Sequence, residues 1–96
     1  MRINEVIWLR QFADKIERKH HVSQDEVDET FAMQPSVKRM RRGVREGEDL
    51  YRAVGQTDAG RHLSIFFIYK GQGRALIISA RDADSKELRS YGKHKK

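Results

Sequence analysis

The sequence predicts an α+β fold: an antiparallel sheet with two N-terminal helices and a short C-terminal helix, in the order β-α-α-β-β-β-β-α. Three observations predict it. Helical spacing and a capping box fill the stretch before Pro35. Four strand-like runs follow, joined by short turn-forming segments that favour antiparallel neighbours. A second capping signal, Asp84 with Glu87, then opens a last helix. At 96 residues the chain is expected to make one domain, 1–96, with a modest core.

Each element has its own local reason. RINEVIW, residues 2–8, alternates Ile3, Glu5 and Ile7 against Asn4, Val6 and Trp8, a short strand. In LRQFADKIERKHH, Leu9, Phe12, Ala13 and Ile16 recur at helical spacing, and His20 lies on or beside that face. Ser23 and Glu26 form a capping box flanked by Val22 and Val27, so a second helix starts there and carries Val27 and Phe31 inward. It should stop by Gln34, because Pro35 disfavours helical geometry before it. Asp25 and Glu26 complement the dipole of its first turn, a better account of these acids than metal binding.

The second half reads as sheet. Residues 36–46 are ambiguous: Val37, Met40 and Val44 hint at a helix, whereas Gly43 and dense charge favour an edge strand, the preferred reading. EDLYRAVG alternates, QTDAGR is a turn, and HLSIFFIYK is a long apolar strand. After the tight connection GQGR, ALIISAR is apolar on both faces and reads as central. Phe66, Phe67, Tyr69 and Tyr51 could stack on RNA bases, but Phe66 and Phe67 are expected in the core. Leu88 and Tyr91 share one face of the last helix.

Composition narrows the function. The formal net charge is +6, which favours polyanionic partners, nucleic acid first. Lys38, Arg39, Arg41, Arg42 and Arg45 fall within eight residues, and Lys93, Lys95 and Lys96 end the chain. The absence of cysteine excludes disulfides, a thiolate nucleophile and a cysteine zinc site, and is compatible with a reducing compartment. No apolar run approaches the roughly 20 residues of a membrane span, and MRINEVIWLRQF lacks a signal-peptide core. A soluble cytoplasmic protein without membrane or cofactor is expected.

Candidate chemistry centres on two arginines. Arg81 ends the central strand and Arg61 begins the preceding one. Counting outward from GQGR sets residues 61–63 against about 81–83, so the two should be neighbours at one end of the sheet. Two guanidiniums there would make a phosphate clamp. Alternatively, either pairs with Asp82, Asp84 or Glu48 and holds the fold. His20 is a candidate general acid or base. Lys19-His20-His21 is a poor metal site, since sequence neighbours on a helix point apart and no third ligand is evident. Glu48, beside Asp49, is a carboxylate base or a salt-bridge partner.

Three segments together resemble a known family. KHHVSQDEVDETF is similar to the KHGVSFEEAxxVF segment of the BrnT toxins, EDLYRAVGQTDAGRHLSIFF to their GExRxxxIGxxxxGRxLxVVY, and IISARDADSKELRSY to their IISARxAxxxExxxY ending. The resemblance spans about residues 5–91 and points to a divergent branch. His21 stands for the family glycine, Ile16 for a common asparagine, and the pair Trp8-Leu9 for a WD pair.

The resemblance implies a RelE-like fold and a type II toxin–antitoxin toxin that cleaves RNA, inhibits translation and is neutralised by a cognate antitoxin. By motif position, Lys19, His20, Glu48, Arg61 and Arg81 carry over. Glu48 or His20 would transfer protons, and Arg61 and Arg81 would stabilise the phosphate, without metal. Lys19, Lys38, Arg39, Arg41, Arg42, Arg45 and Tyr91 would hold RNA. The alternative is a non-catalytic nucleic-acid or protein-interaction module of the same fold.

Overall fold

The computed structural model describes residues 1–45 and 47–95, with side chains as far as Gly92. Glu46 and Lys96, and the side chains of Lys93 and Lys95, lie outside that description. The elements are β1 (Glu5–Ile7), α1 (Arg10–His20), α2 (Gln24–Ala32), β2 (Ser36–Arg41), β3 (Leu50–Gln56), β4 (His62–Gly71), β5 (Arg74–Asp82) and α3 (Ser85–Lys95). The expected order holds, and residues 36–41 are a strand. Among the described residues, no helix is long and apolar enough to cross a membrane.

The sheet runs β1-β5-β4-β3-β2. Strands β2 to β5 are antiparallel neighbours, but β1 lies parallel to β5, with Val6 opposite Ala75. The sheet is therefore mixed, which corrects the purely antiparallel expectation. After β1 the chain crosses the sheet through α1 and α2 and re-enters at the far edge as β2, so β1 pairs only with the last strand. Gly73 seats it: its carbonyl accepts from the amides of Asn4 at 2.7 Å and Glu5 at 3.1 Å. A Cβ on Gly73, whose φ is +74°, would lie 2.5 Å from the side-chain nitrogen of Asn4.

Strand alternation gives the sheet two unlike faces. One packs against α1 and α2. There Ile16, Val22, Val27 and Phe31 meet Ala53, Leu63, Ile65, Phe67, Ala75, Ile77 and Ala80, all buried. Phe31 meets Phe67 edge-on with centroids 5.5 Å apart. The capping box forms as expected: Glu26 N donates to Ser23 Oγ at 3.1 Å, and Ser23 N to Glu26 Oε1 at 3.0 Å. Buried Val22 and Val27 flank it as a hydrophobic staple. His21 ends α1 with φ of 55°, the left-handed position usually given to glycine.

The other face carries α3, placed by the Asp84–Glu87 box: Glu87 N donates to Asp84 Oδ1 at 2.8 Å and Asp84 N to Glu87 Oε1 at 2.9 Å. Phe66 lies on this face, half-buried, and not in the core as expected. Consecutive strand residues point to opposite sides, so Phe67 and Phe66 cannot both face inward.

Candidate functional site

The register of β4 and β5 follows the counting from the turn: Leu63 stands opposite Asp82 and Ser64 opposite Arg81. Arg61 and Arg81 thus share one end of the sheet. Their guanidiniums do not share a face, and the phosphate clamp is not formed. Arg61 turns to the helix-covered side, where its Nε donates to Asp82 Oδ1 at 2.7 Å. Nη1 donates to the His21 carbonyl at 2.7 Å and to both Glu26 carboxylate oxygens at 3.2 Å. Nη2 donates to the His20 carbonyl at 3.0 Å.

Arg61 therefore ties the last carbonyls of α1 to the first turn of α2 and the end of β5. A cation at a helix C-terminus is favourable. The Glu26 carboxyl is held below its ordinary value, first by the Ser23 amide and then, against some burial, by Arg61. The Arg61 guanidinium is held protonated chiefly by its hydrogen bond to Asp82.

Arg81 opens onto the α3 face. Its Nη1 and Nη2 grip the two oxygens of Glu87 at 2.9 Å each, a bidentate pair. Nη1 also donates to the Asp82 carbonyl at 3.0 Å, and the guanidinium carbon lies 5.3 Å from the Phe66 ring centre. A second guanidinium reaches the same carboxylate: Arg52 Nη1 is 3.6 Å from Glu87 Oε2. Lys38 is opposite Arg52, and Arg52 opposite Phe66, so all three occupy one face. Ser64 and His62 lie on the same side of β4, with the His62 ring 5.7 Å from that of Tyr91.

Glu87 is 4% exposed, and burial alone would raise its pKa. The Arg81 fork and the Asp84 amide outweigh burial and lower it from 4.5 to about 2. Ser64 Oγ lies close enough to favour the charged carboxylate, yet completes no hydrogen bond of good geometry. Because the folded pKa is depressed, the unfolded chain binds the proton more readily. The contribution, about 3 kcal/mol, is complete above pH 4.5 and disappears as pH falls toward 2. Urea unfolding of wild type and Glu87→Gln across this window should show wild type losing about 3 kcal/mol more. Equal losses would mean that Glu87 is not held in this way.

A family model described as ribonuclease toxin, BrnT, of type II toxin–antitoxin system matches residues 8–87. The chain belongs to the BrnT family. Membership brings a cognate antitoxin as partner. The 1.1 Å crystal structure of the Brucella abortus ribonuclease toxin BrnT aligns with a TM-score of 0.62 at 21% identity, over 84% of this chain and 97% of that one. That likeness shows a BrnT-like fold. No curated protein sequence matches the chain.

The BrnT motif residues are not assembled into one site. Lys19 and His20 end α1 beside Arg61. Glu48 precedes β3, whose first residue Leu50 lies opposite Ile68, six residues along β4 from His62. At about 3.3 Å per residue that is roughly 20 Å from the Arg61 end. Antiparallel β3 and β4 put the start of one at the end of the other, so Glu48 cannot act with Arg61 on one phosphate. The basic stretch is also divided. Lys38 faces α3, whereas Arg39 turns to the other side and pairs with Asp49 at 3.6 Å. Arg41, Arg42 and Arg45 are exposed near the β2–β3 connection.

Among the described residues, no group of three histidines, aspartates or glutamates could hold a metal ion. The reading of the sequence missed Arg52, Ser64 and His62. Their signal was parity: from the pairing of Arg81 with Ser64, stepping by two along β4 reaches His62 and Phe66, and Phe66 leads to Arg52.

Proposed function

We propose that this chain cleaves RNA on the α3 face of its sheet, without metal, as a cytoplasmic toxin that inhibits translation until its antitoxin binds. The observation that carries the reading is the gathering of Lys38, Arg52 and Arg81 around Phe66 on one sheet face. Cations and a half-buried aromatic together suit a phosphodiester backbone and its bases. Cleavage needs the ribose 2′-hydroxyl to lose a proton, the leaving oxygen to gain one, and the phosphate to be stabilised as charge develops. Arg81 and Arg52 supply the stabilisation. His62, on the same face and packed against Tyr91, moves the proton. Tyr91 is buried beneath α3 against His62, so it leaves the RNA-contacting set and positions His62 instead. Lys19, His20 and Arg61 stay outside it, because Arg61's donors are already engaged by protein acceptors.

One observation favours the non-catalytic alternative: the Arg81 fork is filled by Glu87. The deciding experiment incubates purified chain with a mixed RNA in excess chelator. Cleavage products that persist in chelator are expected. Activity that vanishes with chelator and returns with magnesium would contradict metal independence, and no cleavage under either condition would favour the binding module.

A further inference from the structure

The Glu87 carboxylate sits where a ligand would. Arg81 meets it with two parallel donors, Arg52 approaches its second oxygen, and fully buried Ser64 lies alongside. Even so, the cluster is not satisfied. Arg52 Nε is buried without a hydrogen-bond partner, and Ser64 Oγ lies beside Glu87 without a hydrogen bond of good geometry. A carboxylate offers two oxygens in one plane. A phosphodiester group also offers two anionic oxygens, but on a tetrahedral centre, so they leave the plane of the Arg81 fork and can meet Arg52 and Ser64 as well.

The helix that supplies Glu87 is lightly held. Of its apolar residues, Tyr91 is 5% exposed but Leu88 is 36% exposed. Lys86, Arg89 and Ser90 face solvent. Its docking rests on the Glu87 ion pairs and on Tyr91, and elements with little buried apolar contact are those that open most readily.

We infer that Arg52, Arg81 and Ser64 form an oxyanion site for a phosphodiester group, that Glu87 fills it as a surrogate, and that RNA phosphate displaces Glu87 and lifts α3. This rests on the reading that the α3 face receives RNA. It adds Arg52 to the phosphate-binding residues and makes α3 a mask over them.

The test is titration of inorganic phosphate into the full chain at constant ionic strength, observed through the arginine Nε resonances. Phosphate should shift Arg52 and Arg81 saturably. Glu87→Gln, which preserves the capping-box geometry, should bind about ten-fold more tightly because the competing charge is gone. Adding Arg52→Gln to that variant should reverse the gain. Glu87→Gln is also expected to be less stable than wild type, and phosphate should raise its melting temperature more than that of wild type.

Should Glu87→Gln fail to fold, amide exchange in wild type provides the reading: phosphate should speed exchange in α3, whereas a ligand bound elsewhere would leave it unchanged or slow it. Unchanged affinity in folded Glu87→Gln, or slower α3 exchange with phosphate, overturns the inference. So does displacement of Glu87 by a glutamate-rich peptide but not by phosphate or oligouridylate, which would assign the site to an acidic protein segment. If phosphate behaves as expected but no variant cleaves RNA, the oxyanion site stands and the ribonuclease reading falls. If RNA is cleaved while phosphate leaves both arginines unmoved, the ribonuclease reading stands and the site falls.

Discussion

Arg61→Ala should cost about 2–3 kcal/mol of stability and lower the melting temperature by about 10 °C or more. Removing the guanidinium leaves the Glu26 and Asp82 carboxylates without their cation and the His20 and His21 carbonyls without their donor. Hydrogen bonds to charged groups are the stronger ones, and several are lost together. The side chain is 28% exposed, so solvent screens part of the loss and the figure stays below that for a fully buried pair. Arg61→Lys should recover less than half, since an ammonium keeps the charge but cannot reach both sides of the joint with a planar fork. Thermal unfolding followed by circular dichroism measures this. An alanine variant melting within about 2 °C of wild type would mean that Arg61 does not staple α1, α2 and β5.

Arg81→Gln should leave a folded chain whose RNA cleavage is slower by about 100-fold or more. Glu87 keeps Arg52 on one side and the Asp84 amide on the other, so α3 retains partners when Arg81 is neutralised. The catalytic loss is larger because a guanidinium aimed at a phosphate contributes most as charge develops. The contrast with Arg61 is the informative part: replacing one arginine should lower stability and replacing the other should lower activity. Cleavage rates in chelator, with circular dichroism as the fold control, separate them. A folded Arg81→Gln variant that cleaves at the wild-type rate would remove Arg81 from the mechanism.

Much of the fold was legible because its signals are local. Ser23 with Glu26, and Asp84 with Glu87, marked two helix starts through residues three apart. The GQGR turn fixed the β4–β5 register closely enough to place Leu63 against Asp82. The parallel pairing of Glu5 with Arg74 left no local trace, because it joins strands far apart in the chain. For the candidate site, the sequence placed Arg61 and Arg81 at the same sheet end, but end and face are separate questions. Face is a matter of odd and even positions. Counting parity through Ser64, Phe66 and Arg52 separates Arg81 from Arg61 and brings Lys38 and Arg52 to it. The same counting across QTDAGR would have set Glu48 at the opposite end.

The central claim is that RNA lies on the α3 face and not beside α1. Chemical-shift mapping with a short RNA made uncleavable by 2′-deoxy substitution tests it most directly. Perturbations should gather on Lys38, Arg52, Ser64, Phe66 and Arg81, with α3 responding as a unit. Perturbations confined to Lys19, His20 and Arg61, with the α3 face silent, would contradict the account.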